Sequence, residues 1–132
     1  MIQYPALHKW IRTNEEAVAI SGDPHGVLNT ANLEYLWAGL QNKYNDHPQP
    51  VIAKAAFLLD YLANKGHVFI EGNKRTALAA TAAFLQMNGF RLEESESEAT
   101  AQFVLEVAQG SKSLNQIQKW SRQKVKSMET QV

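Results

Sequence analysis

The chain has no cysteine in its 132 residues. That absence removes disulfides, thiolate metal sites and cysteine nucleophiles together, and it suits a reducing compartment. There is no net charge either, because 13 Lys and Arg balance 13 Asp and Glu. A neutral chain carries no global field to draw in nucleic acid or an anionic membrane. Long apolar runs are missing as well. The longest nearly apolar stretch, Ala77 to Leu85, is broken by Thr81 and falls far short of the roughly 20 residues a membrane span needs. Met1-Ile2-Gln3-Tyr4-Pro5 lacks the basic start and apolar block of a secretory signal. These absences set the expectation of a cytoplasmic chain with no membrane and no direct nucleic-acid partner. The length suits one domain over residues 1–132 around one core.

Several chemistries are missing by spacing. His8, His25, His47 and His67 are scattered, and no His-Glu-x-x-His occurs, so nothing points to zinc. A Walker phosphate loop needs Gly, four residues, then Gly-Lys-Ser/Thr. Here five residues separate Gly66 from Gly72, and Asn73 follows. No strand alternation stands out and no repeat period appears.

What is present is helical. Leu7, Trp10, Ile11, Asn14 and Val18 fall at helical spacing, predicting an amphipathic helix from about Ala6 to Ile20. Ser21-Gly22-Asp23-Pro24-His25-Gly26 ends it. Asn29 or Thr30 can cap a second helix with Leu33, Leu36, Trp37 and Leu40 on its buried stripe. Trp10 and Trp37 read as core residues rather than ligand platforms. Proline is scarce, and two of its four copies fall in His47-Pro48-Gln49-Pro50, which bars a helix interior there. A third helix fits Val51 to Asn64, with Gly66 expected in the left-handed position that stops it. A fourth runs to Met87 and stops at Asn88-Gly89. Ser95 with Glu98 and Ser113 with Gln116 have capping-box spacing for two more helices, the last carrying Leu114, Ile117, Trp120 and Val125. The expectation is an all-α, compact bundle of about six helices. The basic end of the last helix reads as a solvated face.

Between the third and fourth helices lies His67-Val68-Phe69-Ile70-Glu71-Gly72-Asn73-Lys74-Arg75-Thr76. Polar groups fed onto a helix start make an anion site, because free N–H groups and the positive dipole end both favour negative charge. Glu71 is an oxygen ligand of the kind Mg2+ accepts. Asn73 can cap the helix and hold the loop's shape. Lys74 is a point charge and Arg75 a planar fork suited to phosphate oxygens. Cations at a helix start oppose the dipole unless an anion joins them. His67 is the side-chain type that gains and loses a proton near neutral pH. A base, a metal carboxylate, two cations and a helix N-terminus together describe phosphoryl or nucleotidyl transfer.

These residues resemble the signature of the Fic/Doc superfamily, whose general pattern reads His-Pro-Phe-x-Asp/Glu-Gly-Asn-Gly-Arg-x-x-Arg. The chain matches at His67, Phe69, Glu71, Gly72, Asn73 and Arg75, and departs at Val68, Lys74 and Leu78. The last two departures are those of Doc (death-on-curing) toxins, which carry Asn-Lys-Arg-Thr and lack the second arginine. The resemblance is strongest over about Ile52 to Phe90. It implies an all-helical Fic/Doc-like fold with ATP and Mg2+ as cofactors. By resemblance, His67 would be the general base, Glu71 would help hold Mg2+, and Gly72, Asn73, Lys74 and Arg75 would bind the nucleotide's phosphates. Phe69 would anchor the loop in the core.

Fic enzymes mostly transfer AMP to hydroxyls, whereas Doc-like members are associated with phosphate transfer to a threonine of elongation factor Tu. Lys74 fills space that glycine leaves open and adds a charge, which favours a reversed triphosphate presenting its γ-phosphate. Gln41 to Pro50 is the stretch placed to serve as the family's target-holding flap. The family's internal inhibitory motif, Ser/Thr-x-x-x-Glu-Gly/Asn, fails here because Tyr35 follows Thr30-Ala31-Asn32-Leu33-Glu34. A toxin of this kind would be restrained by an antitoxin protein in trans, through a helix or a segment that folds on contact. AMP transfer is the runner-up, and a non-enzymatic protein-binding module retaining the fold is the other alternative.

Overall fold

The computed structural model describes residues 1–128. The one-domain expectation over 1–132 therefore extends past the described residues. Among the described residues six α-helices run in chain order: α1 (Leu7–Ala19), α2 (Thr30–Asn42), α3 (Pro50–Asp60), α4 (Asn73–Met87), α5 (Glu98–Ala108) and α6 (Leu114–Lys124). The all-α expectation holds. Helix α3 is the hub: every residue from Ile52 to Asp60 is buried, and it packs against α4 and α6. Pro50 opens it, where a missing N–H costs nothing. Helix α4 lies between α3 and α1, and its alanine-rich sequence lets helix backbones approach closely. Trp10 is core, 2% exposed, whereas Trp37 is half-buried and donates its indole N–H to the Pro5 carbonyl at 3.0 Å.

Four local expectations need correction. Helix α3 does not continue regularly to Asn64; its last turn widens into a π-helix over Tyr61–Lys65, and the Gly66 N–H closes on the Tyr61 carbonyl at 2.8 Å. Gly66 is not left-handed, with φ −82°. Glycine is required there because a Cβ would stand 2.5 Å from the Tyr61 ring and 2.9 Å from Val68 Cγ2. The left-handed residue is the next one, His67, at φ +44°.

Ser97, not Ser95, caps α5, accepting the Thr100 N–H at 3.1 Å. The Ser113–Gln116 capping box on α6 is formed as read. Val125 is not helical. It lies in strand β2 (Val125–Ser127), which pairs antiparallel with β1 (Phe90–Leu92), Leu92 opposite Val125. Two three-residue strands over thirty residues apart leave no alternation to read locally.

Candidate active site

The motif loop is held from below by two consecutive buried residues. Val68 is fully buried and Phe69 is 1% exposed, while His67, Ile70 and Glu71 on either side face solvent. The segment after α1 clamps this anchor as a short antiparallel bridge between Val27 and Phe69. The Val68 carbonyl accepts from Leu28 at 2.7 Å and Asn29 at 3.2 Å, and the Ile70 N–H donates to Gly26 at 3.0 Å. Asn73 completes the frame: its side-chain oxygen accepts the Phe69 N–H at 3.1 Å and its amide donates to the Phe69 carbonyl at 2.9 Å. Asn73 is thus the first residue inside α4, and its amide spans the loop rather than capping the helix. The helix cap is Gly72, left-handed at φ +77°. A Cβ on Gly72 would stand 2.6 Å from Val18 Cγ1, so α1 packs onto the loop only where that atom is missing.

No side chain caps α4, so first-turn N–H groups remain available to an anion. Lys74 and Arg75 emerge from this turn, both exposed. The Arg75 guanidinium donates to Ser21 Oγ at 3.2 Å and lies 3.8 Å from Asp23, whose carboxylate also accepts from Ser21 at 2.8 Å. Those contacts are exposed, and ion pairs of that kind contribute little. No described residue pairs with the His67 imidazole, the Glu71 carboxylate or the Lys74 ammonium. The positive φ at His67 is a conformation that histidine adopts more readily than most residues, and such outliers concentrate at functional sites. A cavity of about 510 Å³ between α1 and α4 includes no motif residue.

Two supporting residues escaped the sequence reading as contributors to the site. Asn14 sits on the buried stripe of α1, 1% exposed. Its amide donates to the Glu71 carbonyl at 2.7 Å and to Thr76 Oγ1 at 3.1 Å. The helical spacing placed Asn14 inward but did not say what it touches. We expect Asn14→Leu to cost about 2 kcal/mol, because the Glu71 carbonyl and the buried Thr76 hydroxyl lose their partner. A denaturant titration measures this, and an unchanged midpoint would remove Asn14 from the loop's support. Lys54, fully buried in α3, is the second. Its ammonium donates to the carbonyls of Leu40 at 2.6 Å and Lys43 at 2.7 Å, fastening the end of α2 where the Gln41 to Pro50 stretch begins. Burial pushes its pKa below the ordinary lysine value.

The Fic/DOC family model matches residues 5–85, a span that reaches from the chain before α1 through the motif loop into α4. The chain belongs to the Fic/DOC family. No curated protein matches it. Fic/DOC members are generally transferases that modify proteins, with ATP as substrate and generally with Mg2+. The residues present fit that ion. No cluster of three or more His, Cys, Asp or Glu that could cage a metal exists among the described residues. The exposed Glu71 carboxylate suits an ion that takes one or two carboxylates and completes its shell with phosphates and water. No helix among the described residues is long and apolar enough to cross a membrane.

Proposed function

We propose that this chain is a Doc-like toxin that transfers the γ-phosphate of ATP to a protein hydroxyl, a threonine of elongation factor Tu being the foremost target. The observation that carries this reading is Lys74, exposed and unpaired on the uncapped first turn of α4, where other Fic proteins have glycine. An ammonium at that point favours a triphosphate turned so that its terminal phosphate faces His67. In the step itself, the target hydroxyl oxygen bonds to the γ-phosphorus and the bond to the bridging oxygen of the leaving ADP breaks. His67 takes the hydroxyl proton on a ring nitrogen. Lys74, Arg75 and the α4 N–H groups, beginning at Gly72 and Asn73, hold the phosphates. Glu71 would hold Mg2+, which when bound neutralises charge building on the phosphate oxygens. Asn73 and Asn14 keep the loop in the shape that sets these groups side by side. Restraint comes from a separate antitoxin chain.

Incubation of the chain with cell extract and γ-labelled ATP is expected to label one protein of the size of elongation factor Tu. Label that arrives only from α-labelled ATP moves the assignment to AMP transfer. Partner binding with no label from either position leaves a protein-binding module.

A further inference from the structure

Just past the end of α2 the chain turns through Tyr44 in a left-handed conformation, φ +65°. Bulky side chains avoid that region, and strain of this kind gathers at functional sites. The π-turn over Tyr61–Lys65 is a second irregularity, of a type also found often at such sites. The two meet at one cavity of about 240 Å³, where Tyr35, Tyr44, Phe57 and Tyr61 share the lining with Asp60. The rings form a connected series: Tyr35 to Tyr61 at 5.6 Å, Tyr61 to Phe57 at 5.9 Å and Phe57 to Tyr44 at 6.1 Å between centres. None of these residues takes part in the transfer site described above.

Asp60 is the group that the fold leaves unfinished. It is 4% exposed, and Lys65, five residues on and brought alongside by the wide turn, holds one carboxylate oxygen at 2.5 Å. The other oxygen, Oδ1, is buried and has no hydrogen-bond partner among the described residues. A buried acceptor in that state costs more than an ordinary hydrogen bond gains, so a ligand that brings a donor is favoured there. The neighbouring rings attract cations through their negative faces. The chain already shows that attraction: the Lys43 ammonium stands 5.8 Å from the Phe57 centre and 6.0 Å from the Tyr35 centre, at the outer limit of its range. No ion pair joins Lys43 to Asp60, and Lys43 is exposed. It is a loose occupant that a better-fitting cation can displace.

The type of cation follows from the two demands. A quaternary ammonium satisfies the rings but has no N–H for Oδ1. A primary ammonium is what Lys43 already offers. A guanidinium meets both, because its plane stacks on an aromatic ring while its fork of N–H groups donates to the carboxylate, and it sheds water more readily than an ammonium. Local charge permits the exchange, since Lys65 and Asp60 offset each other and Lys43 leaves as the guanidinium enters. We propose that this cavity binds a guanidinium group, stacked on Tyr35 and Tyr61 and hydrogen-bonded to Asp60 Oδ1. The group can arrive on an arginine of a partner protein or on a free guanidino compound. The site stands independently of the reaction at the motif loop.

Three of the chain's four tyrosines line this cavity, and the fourth, Tyr4, lines a different one, which supplies an internal control. The full chain, labelled with 13C in its tyrosine rings, is titrated with Nα-acetyl-arginine amide and followed by NMR. The Tyr35, Tyr44 and Tyr61 signals are expected to move and saturate with a Kd of about 1–10 mM, the scale of one stacked and hydrogen-bonded group, while Tyr4 stays in place. The citrulline analogue, which has the shape without the charge, is expected to bind at least about tenfold more weakly. Asp60→Asn should weaken arginine binding by about tenfold and Tyr35→Ala by about two- to fivefold. Lys43→Ala removes the competing ammonium and should tighten binding about threefold. Tyr35 and Lys43 are exposed, so their variants decide the matter even where Asp60→Asn fails to fold. Equal binding of free and blocked arginine supports the site with a protein side chain as its occupant, and tighter binding of free arginine supports it with a small guanidino compound. Static Tyr35, Tyr44 and Tyr61 signals, an equal shift at Tyr4, or citrulline that matches arginine overturns the site. So does a folded Lys43→Ala that binds no more tightly than wild type.

Discussion

A folded His67→Ala variant is expected to transfer label about 10²- to 10⁴-fold more slowly than the wild-type chain, the usual contribution of a positioned base. The effect falls on the chemical step, because nothing in the loop's frame depends on the imidazole. Val68 and Phe69 carry the burial, Asn73 carries the bridging hydrogen bonds, and no described residue pairs with the His67 ring. Loss of rate with retained ATP binding is therefore the signature of the assigned role. One complication is the left-handed backbone at φ +44°, which alanine tolerates less well than histidine. His67→Asn answers it, because asparagine accepts that conformation and cannot take the proton at neutral pH. Both variants losing rate together, at wild-type melting temperature, identify the base. Unchanged labelling by folded His67→Asn would sink the role.

The largest expected stability effect belongs to Lys54. Lys54→Ala should lose about 3 kcal/mol, or roughly 10 °C in melting temperature, from an emptied stem volume and carbonyls left without a donor. The Leu40 carbonyl lies in the last turn of α2 and the Lys43 carbonyl just past its end, and the cation also lies 5.4 Å from the centre of the Tyr4 ring. Lys54→Met keeps most of the volume and loses only the donors, so its loss should be smaller, about 1–2 kcal/mol. The two variants separate packing from hydrogen bonding. Burial lowers the Lys54 pKa in the folded state, so between that value and the ordinary lysine value the unfolded chain binds the extra proton. Stability from this residue therefore rises with pH across that window. The difference between wild type and Lys54→Met should grow in favour of wild type as pH climbs, and a flat difference would show that burial does not depress the lysine. Because Lys54 fastens the start of the Gln41 to Pro50 stretch, Lys54→Ala also tests whether loosening that stretch lowers transfer to a protein hydroxyl.

The helices were legible because their signals are local. Apolar stripes at 3.6-residue spacing gave α1, the start of α2 and the start of α3 to within a residue or two, though α3 ends at Asp60 rather than Asn64, and Ser113 with Gln116 marked the start of α6 with both halves of its capping box. Where the reading failed, the deciding contact was distant in sequence or a matter of shape. Gly66 looked like a left-handed stop, and the Tyr61 ring decided otherwise by occupying the space of a Cβ. Ser95 and Ser97 offer similar capping chemistry, and the turn ahead of α5 selects Ser97. Strand β2 exists because β1 lies beside it.

The motif loop shows the same division. Residue types alone determined that His67, Glu71, Asn73, Lys74 and Arg75 form a polar cluster at a helix start, because ten consecutive residues carry them and Gly72 punctuates the turn. Only the tertiary structure decided how they are held and what they face. Asn73 bridges Phe69, Asn14 reaches from α1 to the Glu71 carbonyl, and α5 closes a groove over Leu78. Those contacts join residues far apart in the chain, and no local pattern encodes them. Chemistry that resides in side-chain type can be read along a chain, but the burial and spacing that orient it arise only when separate helices share one core.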